Sequence, residues 1–322
     1  MPLTPERLPD AYRQMLVIRK FEEAIRNLYQ QDKIRGSFHP CVGQEATAVG
    51  ACWALRQDDF MTCTYRGHGQ ALAKGLSVRA AMAEMLGKAS GCSKGKGGSM
   101  HFTDPSVGLL GANAIVAAGI PHAAGAGLAA QMQKKDHVAL AFFGEGAVNQ
   151  GVFHETLNLA AIWKLPLILV CENNLYSEMT PSRETTSVVE THKRAAAFGI
   201  PSFQIDGNDV ELVYENVERA AAQARSGAGP VYIEALTYRL WGHMIGDPET
   251  YRSKEEVARA RENEPILRLA GRLRELGSTD PDLARLDAEA EAVIADAIQF
   301  AEASPAPEPE AAFTDVFDTS NL

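Results

Sequence analysis

Short apolar runs that alternate with helical segments constrain the fold of this chain more than any other feature. Three of these runs are HVALAFF at 137–143, PLILVCE at 166–172 and PVYIEAL at 230–236. Runs that are apolar on both faces are typical of strands buried in a parallel sheet that helices cover on both sides. Helical patterns at 151–163 and 210–226 separate the runs. The sequence therefore predicts an α/β fold, with a parallel sheet flanked by helices.

The remaining segments add further helices and two shorter strands to this pattern. Helices are predicted at 8–31, 46–55, 77–86, 118–134, 253–276 and 282–302, and strands at 59–64 and 203–206. Ser77 is predicted to cap the third of these helices, and a Gly-, Lys- and Ser-rich stretch at 87–101 is predicted to be a loop. No linker or repeat interrupts residues 5–300, so we expect one domain over 1–322.

The last segment, 304–322, is rich in proline, alanine and acidic residues, and it predicts no packed core of its own. Its apolar residues Phe313, Val316 and Phe317 lead us to expect that this tail docks on a partner.

The composition argues against several classes of protein. The chain has 31 basic and 41 acidic residues and a formal net charge of −10, so its surface repels nucleic acid. It has no apolar run of about 18 residues that could span a membrane. Residues 1–6 carry no signal-peptide pattern, and the five cysteines are scattered without a C-x-x-C pair. We therefore expect a cytoplasmic protein with free thiols.

Polar residues follow two of the apolar strands. Gly144-Glu145-Gly146-Ala147 comes after the first, and Glu172-Asn173-Asn174-Leu175-Tyr176 ends the second, with 26 residues between Gly146 and Asn173. One helix and one strand fill that interval, so we expect both loops at the carboxyl edge of the sheet, where ligands bind in such folds.

These two loops supply the groups that a metal-bound diphosphate needs. Mg²⁺ prefers about six oxygen ligands at roughly 2.0–2.1 Å. Glu145 can give a carboxylate oxygen, Asn174 an amide oxygen and Tyr176 its main-chain carbonyl, while the diphosphate gives two more. The glycines Gly144 and Gly146 let the backbone approach the phosphate, and a helix that opens near residue 151 adds a favourable dipole.

A dinucleotide-binding interpretation competes for the same region. The segment 125–130 fits G-x-G-x-x-A, and Glu145 follows at about the expected distance of 20 residues. That fingerprint belongs in the turn directly after a strand, however, and here the glycines lie inside a predicted helix. We therefore interpret them as small residues that allow close helix packing.

The motifs resemble those of a known family. The pattern formed by GEG, a spacer of 26 residues and NN is similar to the GDG…NN signature of thiamine diphosphate enzymes. More specifically, the chain resembles the alpha subunits of the decarboxylating first component of 2-oxo acid dehydrogenase complexes (pyruvate, branched-chain) and of acetoin dehydrogenase. The resemblance covers most of the chain and includes 43–46, 65–69, 94–101, 163–166, 172–174, 238–239, 242–243 and 247–248.

The resemblance implies a thiamine diphosphate-binding fold, of which this chain is the diphosphate-binding half, and it implies a role for each matching residue. The residues that would hold Mg²⁺ are Glu145, Asn174 and Tyr176. Those that would contact the cofactor are Tyr65, Arg66, Ala114, Val116, Gly144, Gly146, Ala147, Asn174 and His243. The candidate catalytic residues are His243, His68 and His39, and His101 would also lie near the substrate channel.

The resemblance also implies partners and a reaction. The family cleaves a 2-oxo acid and passes the acyl group to a lipoyl arm on an acyltransferase component. A glutamate of the beta subunit faces the aminopyrimidine, so an α2β2 heterotetramer is expected. Pyruvate, branched-chain 2-oxo acids and acetoin all stay open as substrates. Glu145 replaces the usual aspartate of the signature, which leaves a second hypothesis of a structural partner without tight metal binding.

Overall fold

The computed structural model describes residues 3–316, and a six-stranded parallel sheet forms its centre. The strand order is β2-β1-β3-β4-β8-β7, and a separate two-residue antiparallel pair, β5-β6, follows the fourth strand. The strands are β1 Phe60–Thr64, β2 Leu109–Asn113, β3 Ala139–Gly144, β4 Leu167–Asn173, β5 Tyr176–Ser177, β6 Thr180–Pro181, β7 Ser202–Asp206 and β8 Val231–Leu236.

Twelve α-helices are found within residues 3–316. They are α1 Leu8–Gln30, α2 Glu45–Trp53, α3 His68–Lys74, α4 Val78–Met85, α5 Gly119–Met132, α6 Gly151–Trp163, α7 Ser182–Thr185, α8 His192–Ala196, α9 Val210–Arg225, α10 Lys254–Glu262, α11 Pro265–Glu275 and α12 Asp280–Ala303. Ser77 caps α4 as predicted, since its side chain accepts a hydrogen bond from the Ala80 N–H. None of the helices in this range is long and apolar enough to cross a membrane.

Both faces of the sheet are buried, which confirms the α/β prediction. Alternate residues of β4 lie in two different cores: Ile168 and Val170 pack in a core that includes residues of α1, α2 and α9, whereas Leu169 and Cys171 pack in one that includes residues of α5 and α6. The five cysteines are free thiols, as expected; four are buried and Cys92 is half-buried.

Two predictions about elements need correction. The helix predicted at 253–276 is two helices, because α10 ends at Glu262 and Pro265 begins α11. Proline has no N–H to continue a helix and favours its first turn. Strand β2 lies in the stretch after the predicted loop, where no strand was expected, and it pairs with β1 at the edge of the sheet.

The glycines of the G-x-G-x-x-A segment lie in the interior of α5, not in a turn after a strand. Their position inside a helix argues against a dinucleotide site. The close-packing interpretation is not borne out either, because a Cβ on Gly127 would make ordinary contact with Pro166 at 3.5 Å and a Cβ on Gly125 would meet nothing within 4 Å.

The first part of the tail lies against its own chain. The Ala89 N–H donates to the Pro305 carbonyl at 2.9 Å, and Asp315 accepts from Lys94 and Lys96 at 2.8 and 2.7 Å. Phe313 and Val316 are exposed, while Phe317 lies outside the described residues. That the tail docks on a partner stays a prediction.

Candidate functional site

A cavity of about 510 Å³ opens at the carboxyl edge of the sheet. Its position follows from the register, because Gly144 of β3 is paired with Glu172 of β4, and Glu172 with Ala235 of β8. The loops after these strands therefore start side by side. The cavity is lined by these predicted site residues: His39, Tyr65, Arg66, Ala114, Val116, Gly144, Glu145, Gly146, Ala147, Asn174, Tyr176 and His243.

The Glu145 carboxyl group is buried at the start of the turn after β3. Its Oε2 accepts a hydrogen bond from the Asn174 main-chain N–H at 3.3 Å, which joins the two predicted loops. Its Oε1 is buried without a hydrogen-bond partner among residues 3–316. Burial raises the pKa of Glu145 above its usual value, since the charged form loses its hydration.

The loop after β4 presents the other two predicted metal ligands. Asn174 is buried, and its Oδ1 accepts from the Tyr176 N–H at 3.3 Å. Leu175 between them has a φ of +73°, a left-handed conformation that leucine rarely adopts. The Tyr176 hydroxyl is held by Glu256 at 2.6 Å, which anchors the far side of this loop.

Unpartnered polar atoms concentrate in this cavity. Of six buried side-chain nitrogen or oxygen atoms that lack a partner within residues 3–316, four belong to the cavity lining: His39 Nδ1, Gln44 Oε1, Glu145 Oε1 and Ser177 Oγ. Buried polar groups are almost always hydrogen-bonded in folded proteins. This cluster therefore fits a bound group that is rich in polar atoms.

The set of oxygen donors fits a hard cation. No group of three or more His, Cys, Asp or Glu side chains that could hold a metal occurs in the described part of the chain. A cation here must therefore take its remaining ligands from amide and carbonyl oxygens and from the bound molecule, as the predicted set of Glu145, Asn174 and Tyr176 requires. Mg²⁺ commonly binds in this way, through one or two carboxylates and substrate phosphates.

A close approach of two backbone segments shapes the turn after β3. A Cβ on Gly146 would lie 2.7 Å from Ser177 Oγ and 3.0 Å from Ser177 Cβ. Only glycine leaves room for Ser177 at this point. Gly146 thus keeps the two loops in contact, as well as exposing main chain to the cavity.

Arg66 and His243 form one wall of the cavity together with two further aromatic rings. Arg66 donates to the Pro40 carbonyl at 2.7 Å and to the His243 carbonyl at 2.9 Å, and its guanidinium lies 3.3 Å from His243 Nδ1. The ring centroid of His39 lies 4.4 Å from that of Tyr65 and 4.9 Å from that of His243. The Asp247 carboxylate accepts from the main-chain N–H of His243, not from its ring.

Burial and a neighbouring cation keep both histidines neutral. Burial, followed by the charge of Arg66, lowers the pKa of His39 to about 3 and that of His243 to about 3. Burial also lowers the pKa of Arg66 to about 10, which leaves it cationic at neutral pH. The wall therefore offers one positive charge and two neutral imidazoles, a combination suited to an anionic ligand.

His68 does not line the cavity, and the structure gives it a different setting from the one predicted. It is fully buried, with Nδ1 at 3.0 Å from Glu22 Oε1 and Nε2 at 2.8 Å from Ser99 Oγ. Both ring nitrogens are therefore engaged away from the cavity. His101 is exposed and also lies outside the lining.

Glu22 and Ser99 link His68 to residues next to the cavity wall. The same Glu22 oxygen accepts from the Cys41 N–H at 3.1 Å, next to the segment that carries His39 and the Pro40 carbonyl. On the other side, Ser99 precedes Met100, which lines the cavity. The Glu22–His68–Ser99 chain thus joins two walls of the cavity.

Several polar residues of the lining have no role predicted from the sequence, among them Glu172 and Gln44. Glu172 is held by Gln70, whose Nε2 lies 2.7 Å from each carboxyl oxygen, and burial raises the pKa of Glu172 to about 8. Gln44 lies in the matched segment 43–46. A charged residue near the end of an otherwise apolar strand is the signal that singles out Glu172.

Comparison with known proteins places the chain among dehydrogenase subunits. Residues 13–310 match the family model described as dehydrogenase E1 component. The alpha subunit of acetoin:2,6-dichlorophenolindophenol oxidoreductase from Bacillus subtilis is 43% identical over 319 residues, covering 98% of this chain and 95% of the relative.

Two pyruvate dehydrogenase subunits are similarly close. The E1 component subunit alpha of Rhizobium meliloti is 42% identical over 308 residues, covering 95% of this chain and 88% of the relative. The human mitochondrial somatic form is 42% identical over 300 residues, covering 92% of this chain and 76% of the relative.

Proposed function

This chain belongs to the dehydrogenase E1 component family, and on that premise we propose that its cavity holds the diphosphate and the metal ion of thiamine diphosphate. The chain is an alpha subunit of a thiamine-dependent oxidoreductase component, of the kind found in pyruvate and acetoin dehydrogenases. A beta subunit is its partner. The proposals that follow concern the metal, the residues and the substrate.

The metal proposal is carried by one observation, the buried Glu145 Oε1 that lacks a partner among residues 3–316. Glu145 would give this oxygen to Mg²⁺, and Asn174 and the Tyr176 carbonyl would give the others. The hydrogen bond from Asn174 to Glu145 Oε2 fixes the longer glutamate side chain in place. Glutamate is one methylene longer than the aspartate of the usual signature. Because its carboxyl group is held in this way, the extra length does not by itself exclude a tight metal site. This favours the active-enzyme hypothesis over that of a structural partner.

The residues of the cavity wall would bind and orient the cofactor. Arg66, with Tyr65 and His243 beside it, would pair with the diphosphate, and the main chain at Gly144, Gly146 and Ala147 would donate to it. The main chain near Ala114 and Val116 would face the aminopyrimidine. Neutral His39 and His243 would hold or move a proton near the substrate. Bound there, the cofactor supplies the nucleophilic carbon that makes decarboxylation possible.

A pyruvate-like 2-oxo acid is the proposed substrate, and a lipoyl arm on an acyltransferase component is the proposed acceptor. Acetoin is the second candidate, because the Bacillus relative that covers 98% of this chain is named for it. The working assembly would be an α2β2 heterotetramer.

Calorimetry on the assembled alpha–beta complex tests the cofactor and metal proposals together. Thiamine diphosphate should bind in MgCl₂ and lose most of its affinity in EDTA. Replacing Arg66 with methionine should weaken binding about tenfold or more, since a charged hydrogen-bonding group is lost. Replacing the exposed Arg285 with methionine is the matched control and should leave the affinity unchanged. A native complex that binds no cofactor with Mg²⁺ would overturn the proposal and favour a structural partner.

A further inference from the structure

We propose that Glu234, which lies outside the sequence motifs, is a positioning residue that sets the geometry of the metal-binding loop after β4. The inference rests on the proposed metal site. Glu234 belongs to β8, the strand next to β4, and its side chain is completely buried. It does not line the cavity, so any effect on the metal must pass through another residue.

That residue is Asn173, the first asparagine of the loop. Its Nδ2 donates to Glu234 Oε1 at 2.7 Å, and its Oδ1 accepts from the Leu175 N–H at 3.1 Å. A carboxylate accepts hydrogen bonds and cannot donate them. Glu234 therefore turns the Asn173 NH₂ group toward itself and the Asn173 amide oxygen toward the Leu175 N–H. The Asn173 main chain is also held, because its carbonyl accepts from the Thr237 N–H at 2.9 Å.

The hydrogen bond to Leu175 matters because of the backbone there. Leu175 has a φ of +73°, and a left-handed conformation is unfavourable for a residue with a side chain. Leu175 lies between Asn174 and Tyr176, the two predicted metal ligands of the loop. If its backbone relaxed, the Asn174 amide and the Tyr176 carbonyl would turn away from their present directions. Asn173 opposes that relaxation, and Glu234 orients Asn173.

Glu234 is itself firmly held. It accepts four hydrogen bonds: one from Asn173, one from the Thr191 N–H at 3.1 Å, and two from His192, through its N–H at 3.2 Å and its ring Nδ1 at 2.7 Å. The last three come from the start of α8, none of whose residues lines the cavity. The loop is therefore braced against a helix outside the cavity lining.

The test measures how cofactor binding by the alpha–beta complex depends on metal, with thiamine diphosphate held constant and MgCl₂ varied. Glu234→Gln keeps only one acceptor oxygen and cannot accept all four hydrogen bonds. Because Glu234 acts through Asn173 and Leu175, the variant should raise the Mg²⁺ concentration for half-maximal binding up to about tenfold, the lower end of the cost of removing a direct partner of a metal ligand. Saturating Mg²⁺ should restore most of the binding, because the diphosphate contacts are untouched. A Glu234→Gln complex with the native Mg²⁺ midpoint and only a lower Tm would overturn the inference.

Two further variants make the result specific. Asp59→Asn removes another fully buried carboxylate, one that holds Arg225 at the opposite edge of the sheet; it should lower the Tm and leave the Mg²⁺ midpoint unchanged. His192→Leu, at a half-buried site, should raise the midpoint by less than Glu234→Gln and tests the same brace if that variant fails to fold. A native complex that binds no cofactor at any Mg²⁺ concentration would overturn the proposed function instead.

Discussion

At the scale of single residues, the proposed metal site gives Glu145 opposite effects in the absence and in the presence of a cation. Burial without a partner for Oε1 is unfavourable for its charged form, and this raises its pKa. A cation beside that oxygen would reverse the balance, because opposite charge favours the ionised carboxylate. If the proposed metal site is correct, Glu145 lowers the stability of the metal-free chain and raises its affinity for the metal.

Replacing Glu145 with glutamine should separate these effects. Without metal or cofactor at pH 8, the variant complex should melt about 2–4 °C higher, since a buried unpaired carboxylate is removed. It should also lose metal-dependent binding of thiamine diphosphate. Scanning calorimetry and a cofactor titration measure the two effects, with Glu145→Asp as the control that retains metal binding. A glutamine variant that binds metal and cofactor as the native complex does would contradict this role.

The neutral histidines predict a dependence of stability on pH. His39 and His243 have folded pKa values of about 3, while an unfolded histidine titrates near 6.5. Between these values the two histidines bind more protons in the unfolded chain, so their contribution to the free energy of unfolding falls as the pH falls below about 6.5.

Urea unfolding at pH 7.5 and 5.5 measures this effect. A variant with asparagine at both His39 and His243 should lose less stability over that interval than the native chain. The comparison of variant with native cancels the opposing contribution of Glu172, whose raised pKa favours the fold at lower pH. Equal losses in the two chains would mean that these histidines are not held neutral.

At the scale of elements, sequence periodicity found the long helices and the buried strands, because each carries its own pattern. It missed β2, a five-residue edge strand that contains a glycine and is recognisable only by its pairing with β1. The break before Pro265 follows from a local rule, because proline favours the first turn of a helix. The motifs predicted both loops of the candidate site. They could not predict the roles of Glu22 and Glu234, because the hydrogen bonds of Glu22 with His68 and of Glu234 with Asn173 join residues that are 46 and 61 positions apart, which no local pattern encodes.

Two helix glycines give a prediction about packing. A Cβ on Gly50 of α2 would lie 2.8 Å from Val213 Cβ and 2.9 Å from the Val210 carbonyl of α9, so Gly50→Ala should destabilise the chain by about 1–3 kcal/mol. Gly125 of α5 has open space around its Cβ position, so Gly125→Ala should stabilise it by roughly 0.5–1 kcal/mol. Denaturant unfolding of both variants checks this pair, and a Gly50→Ala variant at least as stable as the native chain would contradict the packing of α2 against α9.

At the scale of the whole molecule, the proposed function makes this chain one side of a shared site. The sheet edge between Gly144 and Tyr176 gathers the groups suited to a diphosphate and a cation, while the family resemblance assigns the glutamate that faces the aminopyrimidine to the beta subunit. We therefore propose that the alpha chain binds one end of the cofactor and needs the beta chain for chemistry.

The most direct test is the rate of CO₂ release from pyruvate, with thiamine diphosphate and Mg²⁺ present, by the alpha chain, the beta chain and their mixture. We expect release by the mixture and only background rates from either chain alone. An alpha chain that released CO₂ alone at the rate of the mixture would contradict it.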